Sequence, residues 1–438
     1  MSQPEHPAEY QPEQSAGGQG EQPAEGQGEQ PAEYQQALEI LHDALTFGID
    51  PSLEPITRLS AALGNPQQQY RCIQIAGTNG KSSTSRFVAA LLQAHGFKVG
   101  LYTSPELVYY EERMEIDGRP AGRADFARAI LRAHDAWQPP PPITEFELLT
   151  AAALWLFAQQ QVDWAVLECG LGGRWDATSV VTPEVAVVTG VDLDHTHILG
   201  DTIEQIAAEK AAIIKPGGIA VLGPGIAPAR QVFLQRCAEV GVQPLMVGEA
   251  DLDGLSQKLA GSRFPAYQLP NIATALVAAE AALGQPLDTR AAKAAFATVR
   301  TPGRFELLRT TPPLLIDAAH NPQSAQVLAE ALLAPNCPLP LDTLLLAVLA
   351  DKDATGIIAA LAPLFKHLAV TQTASPRAIP AAELATLVAN TCGREPEVFA
   401  NVAAALTTLT ARQSPTVATG SITLAGAASA HVCALYAP

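Results

Sequence analysis

Short apolar runs and helix-period stripes alternate along most of the chain. "YRCIQIAG" (70–77), "FKVGLYTSP" (97–105), "DWAVLECG" (163–170), "EVAVVTGVD" (184–192) and "IAVLG" (219–223) read as buried strands closed by turn residues. Between them, "TSRFVAALLQAHG" (84–96), "EFELLTAAALWLFAQQQ" (145–161) and "TIEQIAAEKAAIIKPGG" (202–218) carry apolar residues at helical spacing. Two further helices, "YQQALEILHDAL" (34–45) and "PSLEPITRLSAALG" (51–64), precede the first strand. Strands separated by helices of ten or more residues predict a doubly wound, mostly parallel sheet, with ligands at the carboxyl ends of its strands.

After the helix "NIATALVAAEAALG" (271–284), the segment "TVRTPGRFELL" (298–308) reads as a hinge. Beyond it the alternation resumes with "PLLIDAAHNP", "SAQVLAEALLA", "TLLLAVLADKD", "IIAALAPLF" and "HLAVTQTA", closing on "TVATGSITLAGAASAHVCAL". A P-loop-type α/β domain over 35–301 and a smaller Rossmann-like α/β domain over 302–438 are expected, with a ligand cleft between them. Residues 1–34 are low complexity, with "GEQPAE" at 20–25 and 28–33 and "PAEYQ" at 7–11 and 31–35. Such a stretch lacks the apolar surface to repay ordering, so a disordered tail is expected.

Composition narrows the functions. The chain has 438 residues, 48% of them hydrophobic and 16% charged, with a net charge of −17. That acidic balance, with no basic cluster, excludes a nucleic-acid partner. The apolar runs fall far short of the ~20 residues of a membrane span, and the acidic opening stretch carries no secretory leader pattern. Six scattered cysteines without a CxxC fit reduced thiols in a cytoplasmic protein.

Chemistry concentrates at the strand ends. "IAGTNGKSST" (75–84) runs from an apolar strand through a Gly-rich turn into a helix. The common P-loop pattern places a glycine where Ile75 stands here. Backbone N–H groups and the helix start would still cradle phosphate, with Lys81 pairing the β/γ-phosphates and Ser82 or Ser83 reaching a magnesium ion. Signal-switch GTPases need an Asn-Lys-x-Asp segment, and "DKDA" at 351 lacks the asparagine. Glu168 ends a buried strand, where it would hold magnesium or, as a plainer alternative, form a salt bridge or loop cap. Asp192, Asp194, His195 and His197 cluster after another strand, as cation ligands or as satisfied loop residues. Lys210 interrupts the apolar stripe Ile203, Ile206, Ala207, Ile213, Ile214. It either snorkels or is buried with a lowered pKa, in which case its neutral amine can form a carbamate with carbon dioxide. The residues alone favour snorkelling. Arg304 at the hinge suits nucleotide phosphates, and Asp317 a ribose hydroxyl, with His320 close by in the chain; taken singly, these residues read as surface charges.

Taken together, "GTNGKSS", "YTSPELVYYEER", "EFELLTAAAL", "LECGLGGRWDATS", "LDHT", "EKAAI", "PGRF" and "DAAHNP" resemble, in order and spacing, the signature of the folylpolyglutamate synthase/dihydrofolate synthase enzymes, which belong with the Mur ligases. The resemblance covers residues 34 to the C-terminus. It implies that Gly77, Thr78, Asn79, Gly80, Lys81, Ser82 and Ser83 cradle ATP phosphates, and that Asn271, Arg304 and Asp317 contact ATP. It implies magnesium, two ions, held by Glu168, His195 and Thr103, with Ser104 beside it, and by a carbamylated Lys210. It implies that Asp50, Thr144, Phe146, Glu147, Arg174 and Asp176 line the pterin-bearing substrate. Lys81, Lys210 and His320 would be the catalytic residues. Potassium has no support in the sequence. The expected partners are dihydropteroate or a reduced folate, L-glutamate and ATP, and a monomer is expected. Three positions depart from the pattern: Ser82 replaces a usual glycine, Trp175 a leucine and Ser179 an asparagine. Ser82 is closer to peptidoglycan Mur ligases, which usually carry an extra N-terminal uridine-nucleotide domain. A non-ligating P-loop ATPase is the alternative from another class.

Overall fold

The protein is described from a computed structural model covering residues 32–45, 51–138, 142–248, 251–252, 264–335, 337 and 339–436. The expected tail lies outside these residues except for its end. A helix already begins at Ala32, and Tyr34 is buried with its hydroxyl donating to Glu111 Oε2 at 2.8 Å. Residues 32–34, which the composition assigned to the tail, are therefore helical, and one aromatic side chain anchors them.

Two sheets form. The first holds β1 (Arg71–Ala76), β2 (Val99–Tyr102), β3 (Met114–Ile116), β4 (Arg119–Pro120), β5 (Trp164–Glu168), β6 (Val185–Gly190), β7 (Ile219–Gly225) and β8 (Pro244–Met246). Their order is β4-β3-β2-β5-β1-β6-β7-β8, parallel except for the β3–β4 hairpin edge. The second holds β9 (Glu306–Thr310), β10 (Pro313–Ile316), β11 (Thr343–Leu346), β12 (His367–Val370), β13 (Glu397–Val398) and β14 (Thr416–Thr419). Its order is β13-β12-β11-β14-β10-β9, with β9 antiparallel. This is the doubly wound α/β pair the alternation predicts. The hairpin, β8, β9 and β13 escaped the sequence reading, most of them because strands of two or three residues carry too little periodicity.

Apart from the exposed Arg71 at the start of β1, the central strands are buried along their length, as expected when helices cover both faces. Along β1, Ile73 and Ile75 pack with Phe87, Leu91 and Ile272 on one face, while Cys72 joins Leu167 and Leu149 on the other. The next position on that second face is polar: Gln74 is fully buried and donates to Thr178 Oγ1 at 2.9 Å and Ser179 Oγ at 2.8 Å. The helix around Lys210 is shorter than its pattern, Ile203–Ala211, with Ile213 and Ile214 buried in the turn that follows.

Sheet order positions the site. β1 lies between β5 and β6, so the loops leaving those three strands emerge side by side. In register, Ile75 pairs with Glu168 and with Val187. Residues about a hundred positions apart thus meet at one strand-end ridge.

Candidate active site

The Gly-rich turn 77–80 joins β1 to the helix Lys81–Ala94, with Gly80 at φ +83° as the residue before the first turn. A side chain there would be strained, and its Cβ would also lie 2.2 Å from Asn271 Oδ1. At Gly77 a Cβ would lie 1.9 Å from Thr189 Oγ1. Thr189, in the apolar strand β6, donates to the Asn79 carbonyl at 2.6 Å and so braces the turn. Thr78 N–H donates to Gly190 O at 3.0 Å, and its hydroxyl engages Asp192 at 3.0 and 3.2 Å. The loop is a rigid cradle of backbone donors at a helix N-terminus.

Two lysines converge on one carbonyl. Lys81 Nζ donates to Gly77 O at 3.0 Å and Thr78 O at 3.2 Å. Lys210 Nζ donates to the same Gly77 O at 3.1 Å. Lys210 is 4% exposed, so the snorkelling expectation is wrong. Its helix packs against β6 and β7 residues, leaving the stem no route to solvent. Burial, and then the neighbouring Lys81 charge, bring its pKa down to about 7. A substantial neutral fraction near neutrality is the chemical requirement for a nucleophilic amine.

Glu168 is 1% exposed and accepts from Ser82 Oγ at 2.7 Å and from Ser104 N–H at 3.4 Å. Burial pushes its carboxyl above the usual range, against the pull of Lys81, Ser82, Ser104 and Arg304. No arginine or lysine bridges it within ion-pair distance among the described residues, unlike the salt-bridge alternative. Thr103, the residue before Ser104, is buried, its N–H donating to Arg113 O at 3.0 Å. His195 begins the short helix Thr196–Leu199 in a left-handed conformation, φ +49°, with Nε2 3.7 Å from Asp194 Oδ2. The side chain of His197 lies outside the described residues. Among the described residues no three His, Cys, Asp or Glu side chains form a preassembled cage. The Glu168 carboxylate and the Ser82 hydroxyl against it are hard oxygen donors of the kind that suit a divalent cation completed by phosphate and water.

The second domain meets this ridge through its own strand ends. Asp317, at the end of β10, is 5% exposed, which corrects the surface-charge reading. Its carboxylate accepts from Phe305 N–H at 2.8 Å, Ala319 N–H at 2.8 Å and Tyr267 OH at 3.1 Å. Burial raises it and the Arg304 guanidinium opposes the rise. That same guanidinium lowers Glu168, so Arg304 acts on carboxylates of both domains. His320 Nδ1 sits 2.9 Å from Ala318 O, and burial holds its pKa below the ordinary value. Asn79 Nδ2 donates to Gln323 Oε1 at 2.9 Å, a direct bridge between the domains. Asn271 donates to Gln268 Oε1 at 2.8 Å, and Gln268 to Ser83 Oγ at 3.2 Å. Thr189, Tyr267, Gln268 and Gln323 were missed from sequence; only Thr189 left a signal, as a polar interruption in an apolar strand.

The expected substrate side is mostly committed to holding its own backbone. Thr144 and Glu147 form a reciprocal cap on the helix Glu145–Gln159, at 2.9 and 3.2 Å. Asp176 is buried, accepting from Leu171 N–H at 2.9 Å and Thr178 N–H at 3.0 Å. Arg174 is exposed and pairs with Glu209 at 2.8 Å, next to Lys210. Phe146 packs on Gly170, where a Cβ would lie 2.7 Å from its ring. The loop 170–176 is therefore clamped between Phe146 and the Lys210 helix, with Trp175 49% exposed at its tip. Asp50 lies outside the described residues.

The Mur ligase middle domain family matches residues 75–224, and the Mur ligase glutamate ligase domain family matches 303–422. The dihydrofolate synthase/folylpolyglutamate synthase of Mycobacterium tuberculosis is 38% identical over 379 residues, covering 77% of each chain. The structure of Mycobacterium tuberculosis folylpolyglutamate synthase complexed with ADP superposes with a TM-score of 0.82 at 33% identity, covering 92% of this chain and 98% of that one. A bifunctional folylpolyglutamate synthase/dihydrofolate synthase with Mn, AMPPNP and L-glutamate bound superposes with a TM-score of 0.76 at 28% identity, covering 91% and 97%.

Proposed function

This chain belongs to the folylpolyglutamate synthase/dihydrofolate synthase family of the Mur ligases, and on that premise we propose that it is an ATP-dependent ligase joining L-glutamate to dihydropteroate, to a reduced folate, or to both. The observation that carries the site assignment is the meeting of Lys81 and Lys210 at Gly77 O, beside the Ser82–Glu168 contact. The matched relatives carry folate-enzyme names, so the peptidoglycan and non-ligating readings are not favoured.

The substrate carboxylate attacks the γ-phosphorus of ATP, giving an acyl phosphate and ADP. The glutamate amine then adds to the acyl carbon, and collapse of the tetrahedral intermediate expels phosphate and leaves the amide. A carboxylate is a weak nucleophile toward a polyanion, so charge neutralisation and in-line alignment carry the first step. The turn 77–83 supplies N–H donors, and Lys81 turns from its loop carbonyls toward the β/γ-phosphates. Glu168, His195 and a hydroxyl of Thr103 or Ser104 would hold one divalent cation, which would neutralise phosphate charge. A carbamate on Lys210 would hold the second; a half-neutral buried amine supports that modification. Arg304 reaches toward phosphate from the hinge, and the two domains shield the acyl phosphate from water. We place the protein in the cytoplasm as a monomer; its six free cysteines support a reducing compartment, and no described helix is long and apolar enough to cross a membrane.

Lys81→Ala is expected to abolish glutamate-dependent ADP release in the presence of dihydropteroate or tetrahydrofolate. Normal turnover in that variant would overturn the assignment. Labelled glutamate incorporation with each acceptor separates the two activities.

A further inference from the structure

The loop leaving β2 ends on the second domain. Leu107 packs against the apolar cluster that includes Ile316, Ala318, Leu424 and Ala425. A Cβ on Gly426 would lie 2.0 Å from the Leu107 carbonyl oxygen, and one on Gly303 3.1 Å from Leu107 Cδ1. The Gly426 contact is with backbone, so no side-chain rotation could relieve it; glycine there is what lets the loop approach so closely.

The other end of the loop stops at the candidate cation site. Ser104 N–H donates to Glu168 Oε2 at 3.4 Å. The segment is stiff from Glu106 onward. At its Leu107 end the Glu112 carboxylate accepts from the N–H groups of Leu107, Val108 and Tyr109 at 2.9, 3.1 and 3.3 Å. Behind it, Arg113 and Glu106 form a buried ion pair, and Thr103 N–H is fixed on Arg113 O. A stiff segment held at both ends transmits displacement, whereas a slack one absorbs it.

We infer that Leu107 is a positioning residue. Its seat between Gly303 and Gly426 holds the Thr103–Ser104 backbone against Glu168, so docking of the second domain sets the geometry of the cation site in the first. This rests on the proposed reading of Glu168 and its neighbouring hydroxyls as cation ligands.

The test is Mn²⁺ binding to the full chain with ADP, followed by the electron paramagnetic resonance signal of free Mn²⁺. Leu107→Ala is expected to weaken Mn²⁺ about tenfold, a part of the packing energy that a leucine side chain supplies. Leu107→Met is expected to stay within about twofold of the unmodified protein, because it refills the seat. ADP affinity in EDTA is expected to be unchanged in both. Gly426→Ala provides an independent break of the same contact and should act in the same direction as Leu107→Ala. Unchanged Mn²⁺ affinity in Leu107→Ala, or an equal loss of ADP affinity in EDTA, would overturn the inference. Glu168→Gln with undiminished Mn²⁺ affinity would instead overturn the cation reading beneath it.

Discussion

Ser82 Oγ donates to Glu168 Oε1 across 2.7 Å, joining the first turn of the phosphate-binding helix to the end of the neighbouring strand. The residue that departs from the glycine usual in the resembling enzymes therefore has a partner. Glycine here would leave a nearly fully buried carboxylate with one backbone donor, Ser104 N–H.

The consequence for activity follows from charge. A hydrogen bond to a charged group contributes about 1.5–3 kcal/mol, so Ser82→Ala should lower kcat/KM for ATP roughly tenfold or more. The hydroxyl lowers the Glu168 pKa. Removing it raises that pKa further, moving the acidic limb of the pH–rate profile to higher pH. A profile and rate matching the unmodified protein would show the hydroxyl to be dispensable.

Lys210 gives a pH signature in stability. Its native pKa is about 7 against an ordinary value of 10.5, with burial the larger cause and Lys81 the second. Between those values the unfolded chain binds more protons than the native one, so stability rises with pH through the window and the penalty is complete below it. Lys210→Met should remove this contribution, which has a slope of up to about 1.4 kcal/mol per pH unit. Urea unfolding in EDTA, free of bicarbonate, at about pH 6 and about pH 9 reads the difference. The variant should gain most at the lower pH; parallel curves would mean that Lys210 does not titrate there. If Lys210 carries a carbamate, short carboxylates should rescue the activity of Lys210→Ala.

Gly80 combines two constraints that mutation can separate. Its φ of +83° penalises any side chain, and Asn271 Oδ1 stands 2.2 Å from where a Cβ would be. Gly80→Ala should weaken ATP binding at least tenfold, from about 1 kcal/mol of backbone strain plus the clash. Adding Asn271→Gly relieves the clash and leaves the strain, so urea unfolding without ATP should show part of the stability lost in Gly80→Ala regained. A double variant no more stable than Gly80→Ala would locate the whole stability loss in the backbone.

Much of this was legible in the chain itself. The alternation of buried strands with helices set both α/β domains, since apolar periodicity is a local property and parallel sheets require crossover helices. Gly77–Ser83, Glu168 and Lys210 announced themselves as polar or glycine residues where apolar continuity breaks. Other features escaped because nothing local encodes them. Snorkelling was the natural reading of Lys210, since sequence cannot say whether a helix end reaches solvent; packing on β6 and β7 closed that route. Asp317 looked like a surface charge until Tyr267 and the Phe305 and Ala319 amides surrounded it. Thr144, Glu147 and Asp176 turned out to fasten their own backbone.

By itself the sequence determined which elements form and which residues carry charge, hydroxyl or glycine at strand ends. Only the tertiary structure decided which of them meet. The β5-β1-β6 order brings Glu168, Ser82 and Thr189 to one turn, and burial, which depends on every neighbour at once, brings the Lys210 amine toward neutrality. Those are properties of three-dimensional proximity and desolvation, and no stretch of chain holds them alone.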